Sequence, residues 1–469
     1  MGANYDVRVT GPKTVETPHK PARILGPEYR VATIGIVLVI TLVAFEGMSV
    51  VVAMPTAARE LHALDLYGIS LSAFLIASLF ANVVAGLWAD RRGYPLPFLA
   101  GVLLFVLGMG LAGSAQSAGM FLVARAVQGL GAGPSVVALY VMIARVYPME
   151  LRSKVFAAVS AAWVVPAMVG PAVAGFVSEQ WGWRYVFFGI IPLVVPALAM
   201  LVPALRMPSA SQGERSDGPR SRPLAMTLAA TATAGGAGVL LHGVDQVHLH
   251  PASGVPESVA GLAFLLYGLY RLLPPGALRF SRGLPTTVLM RGFYSAAFFG
   301  VNSYIPLALV DVKGFDASYA GVALTTGALG WSAGSYLQSR RDGEAYRRIR
   351  LGAACVTVAI LVCVLCVLPG VTGWIAVPAW IVAGFGMGFG MTTVSVTALK
   401  QSPVNEQGAN SAALSVADML GSAVTVGIGG ALLNVFGHGP DQIATAFVVI
   451  SFLMAAVGLS ATLLAGRTR

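Results

Sequence analysis

Three charged residues stand out as able to do chemistry in this sequence, because each lies inside a long apolar stretch: Glu46 within 31–54, Arg125 within 119–143 and Asp418 within 408–436. On a helix rising about 1.5 Å per residue, Glu46 sits roughly 22 Å into a hydrocarbon layer about 30 Å thick, past its midplane. A carboxylate there is costly, which points to a proton or cation site facing protein or water; the plainer alternative is a structural carboxyl held by a neighbouring helix. Asp418 reads as a second proton site, as part of a cation site or as a structural partner. Arg125 cannot shed its charge, so it requires an acidic or carbonyl partner unless it snorkels to an interface. Arg291, a few residues into the stretch 286–310, is expected to snorkel. Two other sets carry ligand types without a recognised frame. His242, Asp245, His248 and His250 fall in a predicted exposed loop, and Cys363 and Cys366 share an apolar stretch where thiols pack as small hydrophobes. No metal site is expected from either.

The elements that must position these residues are membrane-spanning helices. Only 11% of the 469 residues are charged, 56% are hydrophobic and 55 are glycine, with a mean hydropathy of +0.77. Soluble domains carry about 25% charged residues, so this is the composition of an all-α polytopic membrane protein. Fourteen stretches are long enough to span: 31–54, 67–89, 96–115, 119–143, 155–177, 185–205, 224–241, 258–273, 286–310, 319–337, 351–368, 374–398, 408–436 and 443–465. Residues 1–30 are polar and read as a cytoplasmic tail rather than a signal peptide. The net charge of +10 does not indicate nucleic acid, because the basic residues form short clusters between apolar stretches. Alternating the spans puts 25 of the 30 basic residues on one side and three on the other, with Arg125 and Arg291 inside spans. Both termini are therefore expected in the cytoplasm.

An internal repeat is visible. Gly86-Leu-Trp-Ala-Asp90-Arg91-Arg92-Gly93 closes the second span, and Gly334-Ser-Tyr-Leu-Gln338-Ser339-Arg340-Arg341 closes the tenth in the same frame. The predicted organisation is a tail (1–30), a six-helix bundle (31–205), a cytoplasmic linker (206–223), an inserted helix pair (224–282) and a second six-helix bundle (283–469). Repeated halves with a site between them are the plan of secondary transporters. The inserted pair has no counterpart in the repeat and no buried acid, so it is expected to be peripheral to coupling.

Several motifs together resemble the fourteen-helix drug:proton antiporters of the major facilitator superfamily. Phe45-Glu46 followed by Val52-Ala53-Met54-Pro55 is similar to the first-helix pattern LDxTIVNVALP, with Glu46 where the aspartate stands. Gly86, Asp90, Arg91 and Gly93 match the superfamily loop GxxxDRxGR, with Tyr94-Pro95 departing where a basic residue is usual. Arg125-Ala-Val-Gln128-Gly129-Leu-Gly131-Ala-Gly133 resembles RxxQGxGxA. Pro166, Gly170, Pro171 and Gly175 resemble the antiporter motif GxxxxxxxGPxxGG, and Trp183-Arg184-Tyr-Val-Phe187 resembles WRWIF.

The resemblance implies the major facilitator fold and proton-driven export of small amphipathic compounds such as drugs, with room for a positive group. A dedicated exporter of one natural product or lipid shares the same frame. In that reading Glu46 is the proton site with Arg125 as its partner, Asp418 is a further coupling candidate, and Gly86, Asp90, Arg91 and Gly93 belong to a cytoplasmic gate. Pro166, Gly170, Pro171 and Gly175 form a packing hinge. The expected partners are a small-molecule substrate, protons and the lipid bilayer of the cell membrane, with no nucleic acid, no cofactor beyond the proton gradient, and a monomeric chain. An integral-membrane enzyme would need a metal set or an activated nucleophile, and no HExxH or GxxxxGK[ST] occurs.

Overall fold

The computed structural model describes residues 23–207, 223–340, 343–403 and 406–469, so most of the tail and linker expected at 1–30 and 206–223 lies outside the described residues. Among those described, every regular element is helical. Thirteen helices are long and apolar enough to cross a membrane. A fourteenth, Ala317–Arg340, has the length, but Ser318, Tyr319, Thr325, Thr326 and Ser332 dilute its hydropathy. In lipid a helix satisfies its own backbone groups, so the long apolar runs settle as helices without needing amphipathic periodicity.

The chain order is α1 (Arg30–Glu60), α2 (Tyr67–Arg92), α3 (Pro95–Gly113), α4 (Ala118–Val146), α5 (Met149–Gln180), α6 (Arg184–Leu205), α7 (Pro223–Gln246), α8 (Pro251–Leu272), α9 (Leu284–Val312), α10 (Ala317–Arg340), α11 (Ala345–Val367), α12 (Gly373–Gln401), α13 (Gln407–Phe436) and α14 (Pro440–Thr468). In the first six, α1 packs on α5 and α6, and α4 packs on α2 and α3. In the last six, α9 packs on α13 and α14, and α12 packs on α10 and α11. Each pairing in one set recurs eight helices later in the other, which is the three-dimensional form of the repeat seen at Gly86 and Gly334. Small residues make these crossings close. A Cβ on Gly384 of α12 would lie 1.9 Å from the Gly327 carbonyl oxygen of α10.

Two antiparallel crossings join the sets: α2 on α13, and α5 on α10. The inserted pair α7–α8 packs mainly on itself, but α7 also lies against both α2 and α13. It therefore covers one of the two crossings. The histidine and aspartate cluster differs from expectation. His242 and Asp245 belong to the last turns of α7 rather than to a loop, and Asp245 Oδ1 accepts from Asn434 Nδ2 of α13 at 2.7 Å. Among the described residues no group of histidine, cysteine and acid side chains could hold a metal ion.

Candidate functional site

Glu46 and Arg125 meet at the centre of the first six-helix set. The path along α1 from Arg30 to Glu46 is about 24 Å, and both side chains are buried, at 0% and 3% exposure. Arg125 Nη1 donates to Glu46 Oε1 at 2.5 Å and to Gln128 Oε1, one turn along α4, at 2.6 Å. The guanidinium also lies over the Phe74 ring of α2, 4.5 Å from its centroid. Glu46 Oε2 accepts no hydrogen bond within the described protein. One oxygen of the carboxylate thus anchors the pair, and the other is buried without a hydrogen-bond partner among the described residues. The glycines after Arg125 let α4 sit close enough for this reach. A Cβ on Gly129 would lie 2.2 Å from the Phe74 carbonyl oxygen, and one on Gly131 would lie 2.1 Å from the Phe105 nitrogen.

Asp418 is also paired, and with a residue the sequence did not suggest. Arg291 of α9 donates to Asp418 Oδ2 through Nε at 3.1 Å and Nη2 at 2.8 Å, while Ser295 donates to Oδ1. Arg291 Nη1 also donates to Ser395 Oγ of α12 at 2.8 Å. The expected snorkelling of Arg291 is therefore corrected: the helix crossing of α9 and α13 brings a carboxylate within reach, and pairing outweighs stretching to an interface. This second pair is 27% and 25% exposed, more open than the first. It also lies nearer the face from which α1 and α9 start, since Arg291 is about 10 Å along α9. Tyr140 of α4 is exposed and in edge contact with Phe156 of α5 at 5.8 Å.

At the opposite face, which carries the α1–α2 turn, the two sets are bound together. Arg59 Nη1 pairs with Asp311 Oδ1 at 2.6 Å. Glu179 accepts from the Ser318 backbone N–H at 2.7 Å and from its hydroxyl at 2.8 Å, so a carboxylate of α5 sits on the positive end of α10. Asn434 donates to the Asp65 carbonyl, Tyr67 to the Ser303 carbonyl and Ser72 to the Ala423 carbonyl, each at 2.8 Å. Further down α2, Asn82 reaches Met419 Sδ at 3.1 Å.

Of the residues expected to form a hinge, Pro171 and Gly175 lie at the same seam. Pro166 is buried, and Gly170 stands against Ser49 and Phe45 of α1. Pro171 presents its carbonyl to Gly321 of α10, and Gly175 faces Ala317 and Ser318. The residues expected to form a gate lie at the other face: Asp90 and Arg91 are exposed, Gly86 faces open space, and Gly93 ends α2 with a φ of +78°. The structure thus brings Glu46 to Arg125 and Pro171 and Gly175 to α10. It does not bring Asp418 to the first pair. Sequence reasoning missed Arg291, Ser295, Glu179 and Arg59; a second arginine inside a span was the available signal for the first of these.

Comparison with known proteins follows the same lines. The sequence model of the Major Facilitator Superfamily matches residues 36–426. A transporter of the acurin A biosynthesis cluster from Aspergillus aculeatus is 26% identical over 329 residues, covering 66% of this chain and 57% of its own. Efflux pump mlcE of Penicillium citrinum is 25% identical over 430 residues, covering 85% and 76%, and the Staphylococcus aureus multidrug efflux pump SdrM is 25% identical over 178 residues, covering 38% and 40%. The chain spans from a quarter to about half the length of the first curated relatives it matches. Among solved structures, an auto-inhibited peptide transporter of the POT family has a TM-score of 0.68 at 17% identity, covering 93% of this chain and 97% of that one. A POT peptide transporter in complex with sulfate has a TM-score of 0.65 at 16% identity, covering 92% and 94%. At such identities the likeness is one of fold.

Proposed function

This chain belongs to the Major Facilitator Superfamily, and we propose that it is a proton-coupled exporter of small amphipathic compounds, working by alternating access between its two six-helix sets. The observation that carries the reading is the buried Glu46–Arg125 pair with Glu46 Oε2 free to take a proton. Asp418 has both oxygens engaged by Arg291 and Ser295, so Glu46 is the leading coupling residue and Asp418 the secondary one. The ionised pair is neutral, so a proton on Glu46 would leave a buried guanidinium uncompensated and drive Arg125 towards other acceptors, favouring a rearranged state.

The bonded seam at the α1–α2 face, with the half-buried Arg291 and Asp418 and the exposed Tyr140 near the other face, supports a state open on the side where the helices begin. The charge asymmetry of the loops makes that side the cytoplasm, with both termini there. Export then requires the α5–α10 and α2–α13 crossings to part at the outer face, while Gly86, Asp90, Arg91 and Gly93 close the inner one. The efflux pumps among the relatives support export, and the biosynthesis-cluster transporter supports a second reading, a dedicated natural-product exporter, which uses the same coupling residues. No metal or cofactor enters this account; the proton gradient is the energy source.

The test uses the purified full chain in proteoliposomes. A compound found to stabilise the protein should move against its gradient when the cytoplasmic side is made alkaline relative to the outer side. Movement that is indifferent to the proton gradient, or that requires ATP, would remove the reading.

A further inference from the structure

We propose that the compounds this protein takes are uncharged or internally neutral amphiphiles, and that permanent cations are discriminated against, because each mid-span carboxylate is already bound to an arginine. The proposal deepens the export reading and rests on it for context. Among the described residues the acids in mid-span are Glu46 and Asp418, joined to Arg125 at 2.5 Å and Arg291 at 2.8 Å.

The charge balance decides the ligand. With both acids ionised, the four groups sum to zero. With a proton on either acid the sum is positive, and since arginine cannot be deprotonated it is never negative. A cationic ligand seeking a carboxylate would have to displace a guanidinium and leave it unpaired in a low-dielectric site. The first pair is also out of reach, being buried. The second is reachable, but Asp418 Oδ2 is held by two donors of Arg291 and Oδ1 by Ser295. Of the remaining acids near the seam, Asp311 is bound by Arg59 and Asp90 lies at the end of α2, away from mid-span. Tyr140 and Phe156 form an exposed aromatic pair on α4 and α5 that suits an apolar body. Ring faces do attract cations, but too weakly to offset the guanidinium that would be left unpaired by displacement from its carboxylate.

The experiment measures thermal stabilisation of the full chain in nanodiscs of uncharged lipid, with no pH gradient. The probes are amphiphile pairs in which a quaternary ammonium is replaced by its carbon isostere, benzoylcholine and its neutral tert-butyl analogue among them. Neutral members should stabilise at about tenfold lower concentration than their cationic twins, a difference of about 1.4 kcal/mol. Arg291→Gln leaves the Asp418 carboxylate without its fixed cation and should reverse the order, a gain that misfolding cannot produce. Asp418→Asn should deepen the discrimination. Cationic members that stabilise the native chain as well as their twins, a panel with no neutral stabiliser, or an Arg291→Gln protein that keeps the native order would each overturn the proposal. Because no gradient enters this measurement, the export reading can fail in proteoliposomes while the charge preference stands, and the reverse.

Discussion

Arg125 Nη1 lies 2.5 Å from Glu46 Oε1, so a helix that begins at one membrane face and a helix that begins at the other are tied together by a charge pair in the middle of the first bundle. The pair ties α1 to α4, and its second carboxylate oxygen stays free. The account depends on that asymmetry: one oxygen positions, the other titrates.

Removing one partner of the pair should cost far more than removing both. Arg125→Met is expected to destabilise by about 3–5 kcal/mol, since it leaves a buried carboxylate uncompensated, while the double change Glu46→Leu with Arg125→Met should be close to neutral. Denaturant unfolding of the four proteins of this cycle would check it, and equal losses in single and double variants would contradict it.

At the seam, a side chain on Gly321 has nowhere to go, because its Cβ would lie 2.4 Å from the Pro171 carbonyl oxygen. Gly321→Leu should wedge α5 from α10 and move the population towards the state open at the α1–α2 face. Spin-label distances between the ends of α5 and α10 at that face should lengthen, and an unchanged distance distribution would argue that the crossing is not part of the moving seam.

Glu179 and Arg59 hold the same face by charge. Glu179→Gln weakens the carboxylate contact with the start of α10, an effect of about 0.3–1 kcal/mol for an exposed helix end. Combined with Arg59→Gln, which frees Asp311, it should speed amide hydrogen exchange at residues 318–320 without changing exchange in α11. Unaltered exchange at these positions would show that the face is closed by packing alone.

The charge-based topology makes its own prediction. With Cys355, Cys363 and Cys366 replaced, Cys at exposed position His250 should react with an impermeant maleimide from outside and Cys at Glu344 only after permeabilisation. The opposite pattern would invert the sidedness and turn export into uptake.

How much of this was legible in the sequence differs residue by residue. Glu46 and Arg125 announced themselves, because a charge inside an apolar run has few reasons to exist and their motifs imply neighbouring helices. The repeat at Gly86 and Gly334 likewise foreshadowed the eight-helix offset of the packing. Arg291 was misread because its place near a helix start fits snorkelling as well as pairing, and only the α9–α13 crossing decides between them. The place of α7 was out of reach for a related reason. A hairpin without a repeat counterpart carries no sequence signal for the crossing it covers, and Asp245 looks like a loop acid until Asn434 is seen beside it. Glu179 resembled any helix-end acid, since its partners are the backbone N–H and hydroxyl of Ser318 on a distant helix, which no local pattern reveals.

The central claim is that Glu46 carries the coupling proton. If proton and substrate bind in competition, each weakens the other by the same factor, and a side chain that cannot titrate breaks the link. The decisive measurement is substrate-driven proton release and uphill export by Glu46→Gln in proteoliposomes, beside the native chain and Glu46→Asp. The account predicts that Glu46→Gln loses both activities but keeps gradient-independent exchange of a neutral substrate, and that Glu46→Asp retains partial coupling. Uphill export by Glu46→Gln with an unchanged pH dependence would contradict it and move the coupling role to Asp418.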